Sequence, residues 1–183
     1  MNKGNVLTVL RSMLVVTALI ALNTTAMSQT EKDRKLMTDC SEAKADFTHT
    51  DGLMSSLFSN SYGYVIFPNV GKGAIGIGGA AGNGIVYQHG SAIGSAKMKQ
   101  VSIGFQFGGQ AYREVIFFES KADLDRFKGD NFEFAAQASA VAATAGASAN
   151  VKYKDGVLIF TQQKGGLMYE ASIGGQKFNF SSF

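Results

Sequence analysis

Two histidines, one cysteine and 14 acidic residues are the groups from which this 183-residue chain would have to build a catalytic or metal centre. His49 and His89 lie 40 positions apart in polar, turn-like surroundings, and Cys40 has no evident relation to either. That spacing offers no metal-ligand set and no thiol–imidazole pair. No G-x-S-x-G is present to expose a serine on a strand-to-helix turn. Asp123 and Asp125 stand two apart on a predicted helix and so do not share a face. Gly76-Ile-Gly78-Gly-Ala-Ala81 formally fits G-x-G-x-x-A, but the phosphate-cradling mechanism needs a helix to start there. Gly82-Asn83-Gly84 follows instead and reads as a hairpin turn between Ala74–Gly79 and Gly84–Tyr87. These residues predict no catalytic site, no metal and no cofactor, so the chain is not expected to be an enzyme.

What is left to interact is charge. Lys72, Lys97 with Lys99, Lys152 with Lys154, Arg126 with Lys128, and Lys32, Arg34 and Lys35 are the candidate cations. Gathered on one side they would hold anionic lipid headgroups at about 1 kcal/mol per residue near the surface. Val70, read as an apolar loop residue, would insert beside Lys72. The lipid-binding set expected from the residues is therefore Lys72, Lys97, Lys99, Lys152, Lys154 and Val70. Each pair in isolation is a solvated face.

The start of the chain decides where such a surface would work. Lys3 and Arg11 precede the run Met13 to Leu22, which carries one Thr and no charge, and small or polar residues follow to Ser28. About ten apolar residues suit a secretory signal and are too few to span a bilayer of roughly 30 Å. Residues 1–28 are thus expected to be a signal peptide, cut before Gln29, which places the protein in the periplasm or at the envelope. Cys40 is too far from the apolar run to be a lipid-anchoring cysteine. Removal of residues 1–28 takes away two of the 17 basic residues and none of the acidic ones, and +3 becomes +1. A nearly neutral chain without a basic cluster is not a nucleic-acid binder. A single cysteine makes no internal disulfide, so the core alone must stabilise the domain.

The elements that would position these residues follow from periodicity. Leu36, Cys40, Ala43 and Phe47 fall at spacings of four, three and four, one stripe of a helix. Thr50-Asp51 can cap a second short helix that buries Leu53, Met54, Leu57 and Phe58. From Tyr62 the period becomes that of strands: Tyr64–Phe67, stopped by Pro68-Asn69; Val101–Phe107; Tyr112–Phe118; Val157–Phe160; Gly166–Tyr169; and Gln176–Phe180. Gly90-Ser91-Ala92 reads as a loop. Ser120 to Lys128 reads as a helix with Ser120 as cap and Asp123 at its third position. Phe132 to Gly146 is Ala-rich but alternates, and strand is preferred over helix. The expected class is α+β: a Gly-rich, mainly antiparallel or barrel-like sheet over 61–183, preceded by a helical part at 29–60, with one further short helix.

In order along the chain, Tyr62–Gly79, Val101–Gln110, Glu114–Phe118, Phe127–Phe132 and Lys164–Phe178 resemble the signature segments of the SYLF domain family. Each segment is weak alone, and five in order are specific. The resemblance covers residues 30–183 and implies a non-enzymatic, lipid-binding domain. Eukaryotic members bind phosphoinositides and some bind actin, whereas bacterial members carry a signal peptide and a single domain, as here. This chain has no Trp, and Ser91–Ala96 stands where eukaryotic members carry Trp-Ser. Actin is therefore not an expected partner. The expectation is an exported lipid- or membrane-binding protein with anionic or other envelope phospholipids as partners. The alternative is a structural or protein–protein interaction module of the envelope that associates with itself.

Overall fold

The computed structural model describes residues 31–72, 79–101, 111–129, 132–135, 139–164 and 171–183. The expected signal segment, the strand candidates within 74–78 and 102–107, and Gly166–Tyr169 lie outside the described residues. The chain divides into a unit ending at Met37 and a unit from Thr38 to Phe183. Residues 31–50 are helical (α1). In the first unit an exposed Arg34–Glu31 pair at 3.0 Å supports the helix surface. The sheet and its core belong to the second unit. Among the described residues no helix is long and apolar enough to cross a membrane.

Among the described residues nine strands form one curled, mostly antiparallel sheet. They are β1 Gly63–Lys72, β2 Gly79–Gln88, β3 Ser91–Val101, β4 Tyr112–Phe118, β5 Phe132–Glu133, β6 Ser139–Ala142, β7 Val157–Gln163, β8 Ala171–Ser172 and β9 Gln176–Ser182. Their order is β5-β9-β3-β2-β1-β4-β7-β6-β8, with β6 against β7 the parallel pair. With α2 Met54–Asn60 and α3 Lys121–Lys128, the class is α+β and the sheet is a half-barrel. Phe132 to Ala142 contributes β5 and β6, as the alternation favours.

Period-two alternation gives the central strands two buried faces. Val65 and Phe67 of β1, Val86 of β2, Met98 of β3, Ile116 and Phe118 of β4, Ile159 of β7 and Phe178 of β9 meet in one inner cluster. Helix α3 closes that cluster with Leu124 and Phe127, whose ring lies 4.9 Å from Phe118 and 5.2 Å from Phe178. Burying such a ring contributes about 1.5–3 kcal/mol. Ser120 and Asp123 form the expected reciprocal cap of α3. The opposite face carries Tyr64, Ile66 and Phe117, which α1 and α2 cover. Phe58 of α2 sits edge-on to Tyr64 at 5.1 Å and to Phe117 at 4.9 Å. Cys40, Ala43 and Phe47 of the α1 stripe are buried, and so are Met54 and Phe58. Leu53 is not: it is the N-cap of α2 and 54% exposed. Asp51 holds this corner by accepting from Leu53 N at 3.1 Å and from Ser148 N at 2.7 Å.

Three local expectations are corrected. Pro68-Asn69 does not end β1, because the missing donor is absorbed by a register shift between Ile66 and Asn69, and pairing continues to Lys72. Gly82-Asn83-Gly84 is not a turn: β2 runs straight through it, paired on both sides. Ser91 and Ala92 open strand β3 rather than forming a loop. The hairpin turn is His89-Gly90, with φ of 49° and 80°, the left-handed pair that a two-residue turn between twisted strands requires.

Candidate functional site

Strand β3 pairs with β2 on one side and β9 on the other. Ala96, Met98 and Gln100 point inward and are buried, so the pleat sends Lys97 and Lys99 to the outer face, where both are exposed. Lys99 stands directly opposite Lys177 of β9, and Lys97 opposite Asn179. Like charges facing across a strand pair repel. Glu133 of β5 offsets one of them, 3.2 Å from Lys177 Nζ. Among the described residues neither Lys97 nor Lys99 has an ion-pair partner. The structure thus joins two sequence-predicted lysines with a third, Lys177, that sequence reasoning did not select.

The remaining candidates lie elsewhere. Lys72 ends β1, in register with Ala80 of β2. Lys152 and Lys154 are exposed just before β7, and Lys154 makes an isolated bridge with Val157. Val157 pairs with Phe118, at the opposite strand end from the Lys99 register, and three strands separate β7 from β3. Arg126 and Lys128 pair within α3, 3.5 Å from Asp123 and 2.7 Å from Asp125, and Arg126 also donates to Asp155 O. Val70 is not a loop residue. It lies in β1, fully buried in the inner cluster, because the strand continues past Pro68. It is not available for insertion into a bilayer.

The second polar feature was not among the sequence-derived candidates. Tyr112, Glu114, Ile116 and Phe118 share the inner face of β4, so Glu114 projects into the half-barrel and is completely buried. Gln176 of β9 donates to Glu114 Oε2 at 2.9 Å. Since β9 and β4 are separated in the sheet by β3, β2 and β1, this hydrogen bond crosses the interior and ties the two arms of the curl. The same amide nitrogen lies 3.4 Å from Gln100 Oε1 and 3.5 Å from Tyr112 Oη. Thr161 of β7 stands opposite Glu114 in register and is also fully buried. Among the described residues Glu114 Oε1, Gln176 Oε1 and Thr161 Oγ1 have no hydrogen-bond partner. Burial lifts the Glu114 carboxyl to about 7, against which the Gln176 hydrogen bond pulls weakly. Burial, then the neighbouring Glu114 charge, also raises Tyr112.

Cys40 is a packing residue. Its Sγ lies 3.4 Å from Ile66 O, and burial pushes the thiol up to about 12. The thiolate is the reactive species, so native protein should give no colour with a disulfide thiol reagent at pH 8. One equivalent should react on unfolding. Rapid native labelling would contradict this placement.

Residues 99–181 match the family model described as Ysc84: Las17-binding protein actin regulator. That range runs from Lys99 to Ser181 and takes in Glu114, Thr161 and Gln176. The chain is also 29% identical over 123 residues to Beta cell expansion factor A of Aeromonas veronii. The match covers 67% of this chain and 47% of that protein, so the chain spans about half the length of the curated relative it matches.

Proposed function

We propose, from the premise that this chain belongs to the SYLF family through its residues 99–181, that it is a lipid-binding protein of the cell envelope that performs no chemistry on its ligand. The carrying observation is the outer face of β3 and β9, where Lys97, Lys99 and Lys177 stand together. A bilayer's anionic headgroups relieve the repulsion between Lys99 and Lys177, which Glu133 offsets on one side alone. The signal-like residues 1–28 support export, and envelope phospholipids are then the lipids within reach. In that compartment actin is not a partner. Lys72 is left out of this surface, because its register partner Ala80 pairs in turn with the inward-facing Gln100 rather than with Lys99, and Lys152 and Lys154 are assigned to solvent.

Co-sedimentation with vesicles tests the reading. The protein should pellet with vesicles containing anionic phospholipid at low salt, and less as salt rises, because charges more than a Debye length apart are screened. Reversing both lysines in Lys97→Glu/Lys99→Glu should weaken that binding by roughly tenfold or more, at about 1 kcal/mol for each lysine near the surface. Thermal stability should stay the same, since both side chains are exposed. Failure to bind any bilayer at low salt would overturn the assignment. A stable oligomer without lipid dependence would favour an interaction module instead.

A further inference from the structure

The interior cluster is built differently from the outer face. Three polar atoms from three strands, Glu114 Oε1 on β4, Thr161 Oγ1 on β7 and Gln176 Oε1 on β9, are buried without partners among the described residues. Buried polar atoms are almost always satisfied by protein, water or a bound group, and these three belong to Glu114, its hydrogen-bond partner Gln176 and its register neighbour Thr161, so they offer acceptors for a donor to meet. The Gln176 amide points its nitrogen at Glu114 Oε2, so its oxygen, like Glu114 Oε1, accepts, and a threonine hydroxyl can accept as well. Among the described residues of β1, β2, β3, β4, β7 and β9, Lys72 is the one cation at an inner register position, two residues beyond Val70 at the end of β1; the groups around Glu114 are Gln100, Tyr112, Thr161 and Gln176. Apolar residues complete the surroundings, with Tyr112 itself part of the inner cluster that contains Met98, Ile173 and Phe178.

We propose that this cluster is a binding site for a primary ammonium group carried on an apolar body, either a free alkylamine or the headgroup of an aminophospholipid. An ammonium brings three N–H donors for three acceptors, where a water brings two. Its charge neutralises the Glu114 carboxylate, and its alkyl part packs on the apolar wall. A neutral alcohol brings a single O–H donor and no charge, and carboxylates would repel Glu114. The site is separate from the outer lysine face, so it can fail while vesicle binding through Lys97 and Lys99 stands, or the reverse.

Titration calorimetry with the purified chain tests the proposal, using hexylamine, hexanol and hexanoate, which share one apolar body. Hexylamine should bind, and the other two should bind at least tenfold more weakly. Glu114→Gln should lose hexylamine binding by a similar factor. Thr161→Val, which keeps the shape and removes the hydroxyl, should weaken binding whether or not the first variant folds. In buffers of different ionisation enthalpy, binding at pH 6 should release about one proton, and close to none at pH 8.5, because Glu114 must give up its proton to meet the cation. Vesicles containing ethanolamine headgroups, compared with choline headgroups, identify the source. A Glu114-dependent preference for ethanolamine assigns a lipid headgroup, and hexylamine binding without that preference assigns a free amine. Equal binding of the three hexyl compounds, or neither hexylamine binding nor a Glu114-dependent ethanolamine preference, would overturn the proposal and leave the cluster as a solvent-satisfied core feature.

Discussion

The folded protein should lose stability as pH rises from 5 to 8, and Glu114→Gln should abolish most of that loss. The sign follows from proton uptake. Burial raises the folded-state carboxyl of Glu114 from an ordinary 4.5 to about 7. Between those values the folded chain holds a proton that the unfolded chain has released, so folding takes up a proton there and stability declines with pH. The contribution is complete below 4.5, is lost through 7, and levels off above. The full span is on the order of 3 kcal/mol, at 1.36 kcal/mol per unit. For a chain of this size that is about 6–12 °C in melting temperature. Asp125 moves the other way: hydrogen bonds from Lys121 and Lys128 hold it below the usual range, so its effect lies at lower pH. The difference between the wild-type and Glu114→Gln profiles from 5 to 8 isolates Glu114. Glutamine has no charge at any pH and still offers an oxygen to the Gln176 amide. The wild-type and variant melting curves should diverge as pH rises. Parallel pH profiles would show that Glu114 is not held neutral by its surroundings.

Glu114 also shows where the sequence was legible and where it was not. The alternation Tyr112, Glu114, Ile116, Phe118 places an acid on an inward-facing row, a conflict between residue type and position that is visible without coordinates. Its partners are not visible in that way. Gln100, Thr161 and Gln176 become neighbours only through a curl that brings β9 across to β4, which no local pattern encodes. The helices were legible because their signals are local: the Cys40, Ala43, Phe47 stripe and the Ser120–Asp123 cap were read correctly. Val70 and the Gly82–Gly84 stretch were misread because Pro and Gly usually punctuate strands, and here the strand pairing overrides them. Lys97 and Lys99 were selected for charge alone, and the register adds Lys177 to them.

Replacing Gly84 by alanine should destabilise the protein by about 2–3 kcal/mol, within the usual range for forcing extra volume into a packed core. A Cβ at position 84 would lie 2.5 Å from Ile66 O and 2.8 Å from Phe67 Cδ1. The first is backbone of the paired strand and cannot swing aside without breaking the β1–β2 ladder. The second belongs to a ring that is fully buried between the strands and Phe178, 5.7 Å away. Glycine at this position is thus the complement of Phe67, an aromatic ring lying over a bare strand so that the sheet can curl tightly. Gly71 provides the control. A Cβ there would meet nothing within 4 Å, so Gly71→Ala should be neutral or slightly stabilising through the unfolded chain. In the Gly84→Ala background, Phe67→Leu should recover part of the loss by vacating the ring position. The recovery would be incomplete, because Ile66 O stays in place. Denaturant melts of the four chains measure this directly. Equal effects of the alanines at 84 and 71 would mean that the ring does not rest on the glycine. The curl that carries Gln176 to Glu114 would then need another cause.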